Sequence, residues 1–369
     1  MKRRLLGLAL GIFVGLAGAC NTAELTKADA TGPGTGGTPE LPADNAEPTV
    51  PEGGRDPVAD LDGGVIPVSS NVTIQVQPSD FGAAIEASIR AATKSVHMTM
   101  YLLTDTTIID ALGDLKDAGK DVKVVLNQSF PPNGGDNTTA FSKLKARGVN
   151  VVYAPPTYTF THAKAVVIDS AKVLIMTMNL TQTSAKDNRE YIATDSDPAD
   201  VADCETLFAA DFANQSVKVD GKLVVSPESA SPIGPRSRLK ALIDSAKTSL
   251  DVEVQSLSDD TLTEAIVLAH KAKVAVRVVL ATGNDVTPGG LEQINKLKAA
   301  GVPLMGVAAP YIHAKVIVVD GQKVFVGSQN FTPTGLVQNR EVGVVTDAAA
   351  AVAKVRDIIA KDFAAGTAL

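Results

Sequence analysis

At 369 residues the chain is long enough for two ordinary domains or one large double domain, and 45% hydrophobic against 20% charged residues is a globular composition with ample core. Aromatics contribute only 4% and Trp is absent, so Val, Ala, Leu and Ile must fill that core. A formal net charge of −7 provides no broad basic surface and weighs against non-specific binding to long nucleic acid.

The chain opens with Lys2, Arg3 and Arg4, an apolar run from Leu5 to Ala19, and then Cys20. Such a run suits a signal sequence and is too short for a comfortable membrane span. The ending LAGAC resembles a bacterial lipobox with Cys20 as the lipidated residue, although Ala17 stands where Leu is usual; Asn21, not Asp, follows. Residues 1–20 are therefore expected to be a lipoprotein signal peptide. The mature protein is expected on the cell envelope, lipid-anchored at the outer membrane, with plain secretion as the alternative. Cys204 is then the one remaining thiol, so no intramolecular disulfide is available, and in VADCETLFAADFA it reads as a small buried residue on a helix. Residues 21–70 are rich in Pro, Gly, Thr, Asp and Glu and read as a flexible tether that buries too little apolar surface to order itself.

From residue 72 strand-like and helix-like patterns alternate. VTIQVQP has period two, FGAAIEASIRAAT sets Ile85 and Ile89 on one helical face, and SVHMTMYLL reads as a strand. TIIDALGDLKDAG (helix), DVKVVLN (strand), AFSKLKARG (helix) and VNVVYA (strand) follow. The second half repeats the order with SRLKALIDSAK, SLDVEVQSL, TLTEAIVLAHKAK, VAVRVVLA and GLEQINKLKAAG. This alternation predicts an α/β layered fold. Two repeats are placed at 72–215 and 224–369, joined through the turn-rich stretch VSPESASPIGP.

The duplication is also visible in single residues. His162, Lys164, Asp169, Asn179, Asn188, Arg189 and Glu190 recur as His313, Lys315, Asp320, Asn330, Asn339, Arg340 and Glu341, all displaced by 151 positions. Each motif reads as a β-hairpin, with a two-residue loop at Gly321-Gln322 in the second copy. That register sets His313 opposite Asn330 and Lys315 opposite Ser328; in the first copy His162 faces Asn179 and Lys164 faces Thr177. A lysine charge, an amide donor and a hydroxyl on one face suit a phosphoryl oxyanion. Neutral and protonated imidazole supply a nucleophile or base and an acid near neutral pH. Two copies thus provide the two roles of phosphodiester cleavage. The scheme needs no cofactor and no metal, and neither HExxH nor a Cys/His cluster is present.

The pattern H-x-K-x4-D-x6-G-S-x-N is complete at His313, Lys315, Asp320, Gly327, Ser328 and Asn330, and resembles the HKD motif of the phospholipase D superfamily in both repeats. The resemblance implies a pair of α/β sandwich halves with one active site at their interface. It implies His162 and His313 as nucleophile and acid/base, with His162 favoured as nucleophile. Lys164, Lys315, Asn179 and Asn330 would bind phosphoryl oxygens, assisted by Thr177 and Ser328, and Glu190 and Glu341 would orient the histidines. The first motif departs from the pattern: Met176-Thr177 replaces Gly-Ser, and Met176 is expected to crowd the backbone where Gly allows close approach.

Other polar residues have plainer readings. Asp169 and Asp320, beside the turns, are expected to be structural. Arg189 and Arg340 either bind substrate or pair with a neighbouring carboxylate. His97 is expected at a satisfied packing position, and His270 in solvent near a helix C-terminus. Glu253 and Gln255 share a strand face, lining the cleft or lying at the surface. The leading functional expectation is a phospholipase D-like phosphodiesterase that hydrolyses phospholipid head groups through a phosphohistidine, acting as a monomer. The alternatives are a cardiolipin-synthase-like transphosphatidylase, an extracytoplasmic nuclease, and a phosphate-binding protein without catalysis.

Overall fold

The computed structural model describes residues 66–131, 135–282 and 286–369. Cys20 and most of the expected tether lie outside them. The fold begins before residue 70, where composition places the end of the tether. Ile66 is buried among the apolar residues of the second repeat, and the Ser69 N–H donates to the Val345 carbonyl at 2.8 Å.

The first repeat runs β1 (Val72–Gln77), α1 (Ala83–Arg90), β2 (Ser95–Met100), α2 (Thr106–Asp117), β3 (Asp121–Leu126), α3 (Thr138–Ala146), β4 (Asn150–Tyr153), β5 (Lys164–Ile168), β6 (Lys172–Met176), α4 (Gln182–Asp187), β7 (Asn188–Asp195) and α5 (Pro198–Phe212). The second runs β8 (Val224–Ser226), α6 (Pro235–Asp244), β9 (Ser249–Val254), α7 (Asp260–Lys271), β10 (Ala275–Ala281), α8 (Pro288–Ala299), β11 (Leu304–Val307), β12 (Tyr311–Ile312), β13 (Lys315–Val319), β14 (Lys323–Gly327), β15 (Glu341–Thr346), α9 (Ala349–Ala365) and β16 (Thr367–Ala368). The sheet orders β1-β7-β6-β5-β2-β3-β4 and β8-β15-β14-β13-β9-β10-β11 correspond strand for strand, and β16 extends the second beyond β11. β8 overlaps the start of the turn-rich stretch assigned to the connection, because its Val-Val-Ser completes the second sheet against β15.

Local chemistry accounts for the elements. Ile85 and Ile89 bury one face of α1, and Asp105, Asp197 and Asp259 cap α2, α5 and α7 by accepting backbone N–H groups. Helices α1 to α3 pack on the outer face of the first sheet, and α6 to α8 on that of the second. The inner faces share one core, in which Ile74, Ile175 and Ala193 join Val316, Val326 and Val344. Cys204 of α5 is buried in this core, and burial pushes its thiol well above the ordinary range.

The motif hairpins form, with a register one residue from the expected one. Val319 pairs with Lys323, and Ile168 with Lys172, leaving three-residue loops. The reason lies in Asp320-Gly321, at φ 53° and 62°, and Asp169-Ser170, at 57° and 50°. Both central residues take the left-handed conformation of a type I′ turn, closed by Gln322 N–H to Val319 O and Ala171 N–H to Ile168 O. The Asp carboxylate then stabilises the turn. Asp320 accepts the N–H groups of Lys247, Thr248 and Ser249, and Asp169 those of Thr93, Lys94 and Ser95. Burial alone would raise Asp169, but these donors outweigh it and hold the carboxyl well below its ordinary range.

Candidate active site at the seam of the repeats

β5 and β13 lie inside their sheets, each between its hairpin partner and the parallel strands. Their first residues, Lys164 and Lys315, are fully buried. Each ammonium donates to the carbonyl of the histidine two residues earlier, at 2.8 Å to His162 and 2.9 Å to His313. Lys164 also lies 4.8 Å from the centre of the Tyr101 ring, whereas Lys315 donates to Gln255 Oε1 at 3.0 Å.

Each histidine is held by the opposite repeat. His162 Nδ1 lies 2.9 Å from Glu341 Oε1, and His313 Nδ1 lies 2.8 Å from Glu190 Oε1. All four side chains are nearly inaccessible. The backbone makes the same exchange: the His162 N–H donates to the Arg340 carbonyl at 2.9 Å, and the His313 N–H to the Arg189 carbonyl at 3.2 Å. β12 accordingly pairs in parallel with β7, and Thr161 bridges to Arg340.

The triplets Asn188-Arg189-Glu190 and Asn339-Arg340-Glu341 thus act as one clamp in two copies. Asn188 Nδ2 donates to Glu190 Oε1 at 3.1 Å, and Asn339 Nδ2 to Glu341 Oε1 at 3.0 Å. The arginines extend the clamp. Arg340 pairs with Asp211 of α5 at 3.0 Å, and Arg189 with Asp362 of α9 at 2.6 Å. Of the two sequence readings for these arginines, pairing with a carboxylate is the one the geometry supplies, although the carboxylate belongs to the other repeat. Asp211 and Asp362 went unread in the sequence. The signal was available, since they continue the displacement of 151 positions.

Thr177 and Ser328 differ from expectation. The Thr177 hydroxyl donates to Glu190 Oε2 at 2.5 Å and accepts the Tyr191 N–H. The Ser328 hydroxyl donates to the Val342 carbonyl and accepts the Val342 N–H. A hydroxyl has one proton to donate, so these two brace β7 and β15 in place of donating to phosphoryl oxygens. Asn179 and Asn330 are buried, and the Oδ1 of each lacks a hydrogen-bond partner among the described residues. Matched orphan amide oxygens at equivalent positions call for a hydrogen-bond donor, such as a ligand hydroxyl.

Met176 does not crowd the site. Its side chain is buried in the core of the first repeat, in a strand pair with Ile192. The second repeat has Gly327 paired with Gly343 there, and the space goes to Phe325: a Cβ on Gly327 would lie 2.6 Å from Phe325 Cζ. The exchange is one of core volume.

Glu253 and Gln255 are both buried. Gln255 links Lys315 to the Tyr311 hydroxyl, while Glu253 accepts from the Tyr191 hydroxyl, and burial pushes the Glu253 carboxyl well above its ordinary range. His97 bonds Glu205 at 2.7 Å and stacks on Phe208, a packing position. His270 sits in the last turn of α7 but is half-buried rather than solvated, with Nδ1 covered, because the Gly301 turn packs beside its ring.

The family described as "Cardiolipin synthase, PLD-like domain" matches residues 85–212 and 239–363, one segment in each repeat and more than half of the chain. A mitochondrial cardiolipin hydrolase of Xenopus tropicalis is 38% identical over 112 residues, 30% of this chain and 52% of that protein. A cardiolipin synthase of Halalkalibacterium halodurans is 22% identical over 333 residues, 75% of this chain and 63% of that protein. The chain spans about half the length of the cardiolipin hydrolases it matches. A phosphatidylserine synthase structure from Haemophilus influenzae shares the fold, with a TM-score of 0.63 at 13% identity, covering 83% of this chain and 90% of that one. With its two matched segments and its two symmetric half-sites, the chain belongs to the phospholipase D superfamily.

Proposed function

We propose that this protein is a phosphodiesterase that hydrolyses phospholipid head groups through a phosphohistidine. The observation that carries the reading is the reciprocal pairing of two buried imidazoles with carboxylates of the opposite repeat. Donation of Nδ1–H to a carboxylate places the reacting lone pair on Nε2 and stabilises the imidazolium that forms later. His162 Nε2 attacks phosphorus, and an N–P bond forms as the P–O bond to the leaving group breaks. His313, protonated, gives its proton to the leaving oxygen. It then takes a proton from water, whose oxygen attacks phosphorus and expels His162. Lys164, Lys315, Asn179 and Asn330 bind the phosphoryl oxygens, and charge developing there is stabilised in a dry site. The cycle requires no cofactor, and one chain supplies both half-sites, so a monomer suffices. A lipid on Cys20 would hold the protein at an envelope membrane, beside its substrate.

An alcohol that replaces water in the second step makes the same site a transphosphatidylase, and both hydrolase and synthase names occur among the relatives. Head-group release from phosphatidylcholine and phosphatidylethanolamine vesicles, with and without added alcohol, tests the reading. Release in water supports hydrolysis, and a new phosphatidyl ester supports transfer. Intact lipid together with cleaved plasmid in EDTA would replace both with a nuclease.

A further inference from the structure

We propose that a groove beside the His162 loop is a binding site for a phosphorylated polyol. The groove has a volume of about 640 Å³, within the range of small-molecule sites and larger than a lone phosphate needs. Its polar wall includes Thr157, Ser216, Ser229 and Lys218, together with Thr159, whose hydroxyl donates to Gln338 Oε1 at 3.3 Å. Hydroxyls both donate and accept, which matches a ligand whose own groups are hydroxyls. Lys218 is exposed and forms no hydrogen bond or ion pair with any described residue, so one cation is available for one anionic group. Val217 and Pro227 add apolar surface for the carbon skeleton.

The duplication indicates that this wall is not required by the fold. Displaced by 151 positions, Thr157, Tyr158 and Thr159 become Ala308, Ala309 and Pro310, which carry no side-chain hydroxyl. Lys218 and Ser229 belong to the connection between α5 and α6, which occurs once. The groove also adjoins the clamp. The Thr159 N–H donates to the Gln338 carbonyl, the Phe160 N–H to Asn339 Oδ1, and Tyr158 hydrogen-bonds Arg340. An occupant touches the loops that carry His162 on one side and Glu341 on the other.

Calorimetric titration with sn-glycerol 3-phosphate tests the site, with glycerol and inorganic phosphate as partial ligands. The ester is a monoester, so its binding is read without turnover, and a failed lipid assay leaves the result intact. The ester is expected to bind more tightly than either fragment. Lys218→Ala is expected to weaken it by about tenfold and Ser229→Ala by severalfold, both at exposed positions with unchanged Tm. Flotation then separates the sources. Binding to phosphatidylglycerol vesicles that depends on Lys218 identifies a lipid head group, and binding of the soluble ester alone identifies a free phosphate ester. No heat with any of these ligands, or equal affinity in wild type, Lys218→Ala and Ser229→Ala, overturns the proposal.

Discussion

Around His162 the buried ammonium of Lys164 rests against the face of Tyr101; around His313 that of Lys315 is hydrogen-bonded to Gln255. The contacts on Nδ1 of each ring, by contrast, are the same: a carboxylate from the opposite repeat, held by the asparagine two residues before it. The duplication has kept what fixes the imidazoles and varied what surrounds the cations. A clamp that must orient two rings tolerates little change, since tautomer and direction depend on one hydrogen bond. A buried ammonium accepts either an aromatic face or an amide oxygen as its neighbour. Each half thus carries the other's orienting group, and neither repeat is a complete half-site alone.

That comparison is broken most severely at the carboxylates. Glu190→Gln and Glu341→Gln are each expected to lower kcat by about 10²- to 10⁴-fold with little change in fold, because each removes the partner of the other repeat's histidine. Steady-state kinetics on a soluble diester measures this, and a full effect from one with none from the other would deny the symmetry.

The arginine–aspartate ties come next. Arg340 and Asp211 are each about 2% exposed, so Arg340→Ala should cost about 3–5 kcal/mol by leaving a buried carboxylate unpaired. Arg189 and Asp362 are more open, at 13% and 7%, and Arg189→Ala should cost less. Denaturant unfolding ranks the pair.

A third comparison lies in the core. Met176→Ala should destabilise by about 2–5 kcal/mol through a cavity, and Gly327→Ala by about 1–3 kcal/mol through overpacking against Phe325. Neither contacts the histidines, so kcat in the folded fraction should be unchanged.

The last comparison concerns pH. Burial, with Asp200 nearby, pushes Asp195 up to about 7, whereas the equivalent residue of the second repeat is the neutral Thr346. An unfolded Asp titrates near 3.9. The folded state therefore binds the extra proton between about pH 4 and 7, and the stability present below that window is lost as pH rises through it. Asp195→Asn should flatten the unfolding free energy across the window.

Much of this was legible in the sequence because the duplication supplied its own control. Seven polar positions at one displacement marked both motifs, and period-two and helical patterns located most elements. The hairpin register is set from outside the hairpin. Gly321-Gln322 competes with Asp320-Gly321 as the turn centre, and a carboxylate bound by the N–H groups of Lys247, Thr248 and Ser249, at the entry to β9, decides it. The surroundings of Thr177 and Met176 depend on β7, the strand that each faces, whose neighbours in the sheet no pattern within the motif encodes. The exchange of glutamates between repeats is a tertiary fact that no spacing within one motif encodes.

In the proposed cycle both imidazoles serve one phosphorus. Single-turnover mixing with a slow aryl phosphodiester, followed by base quenching and peptide mapping, tests it most directly. At most one acid-labile, base-stable phosphoryl group per chain is expected, on one imidazole. Turnover is expected to fall by several orders of magnitude in both His162→Asn and His313→Asn. Near-normal turnover by either variant, or phosphate on both histidines of one molecule, would contradict it.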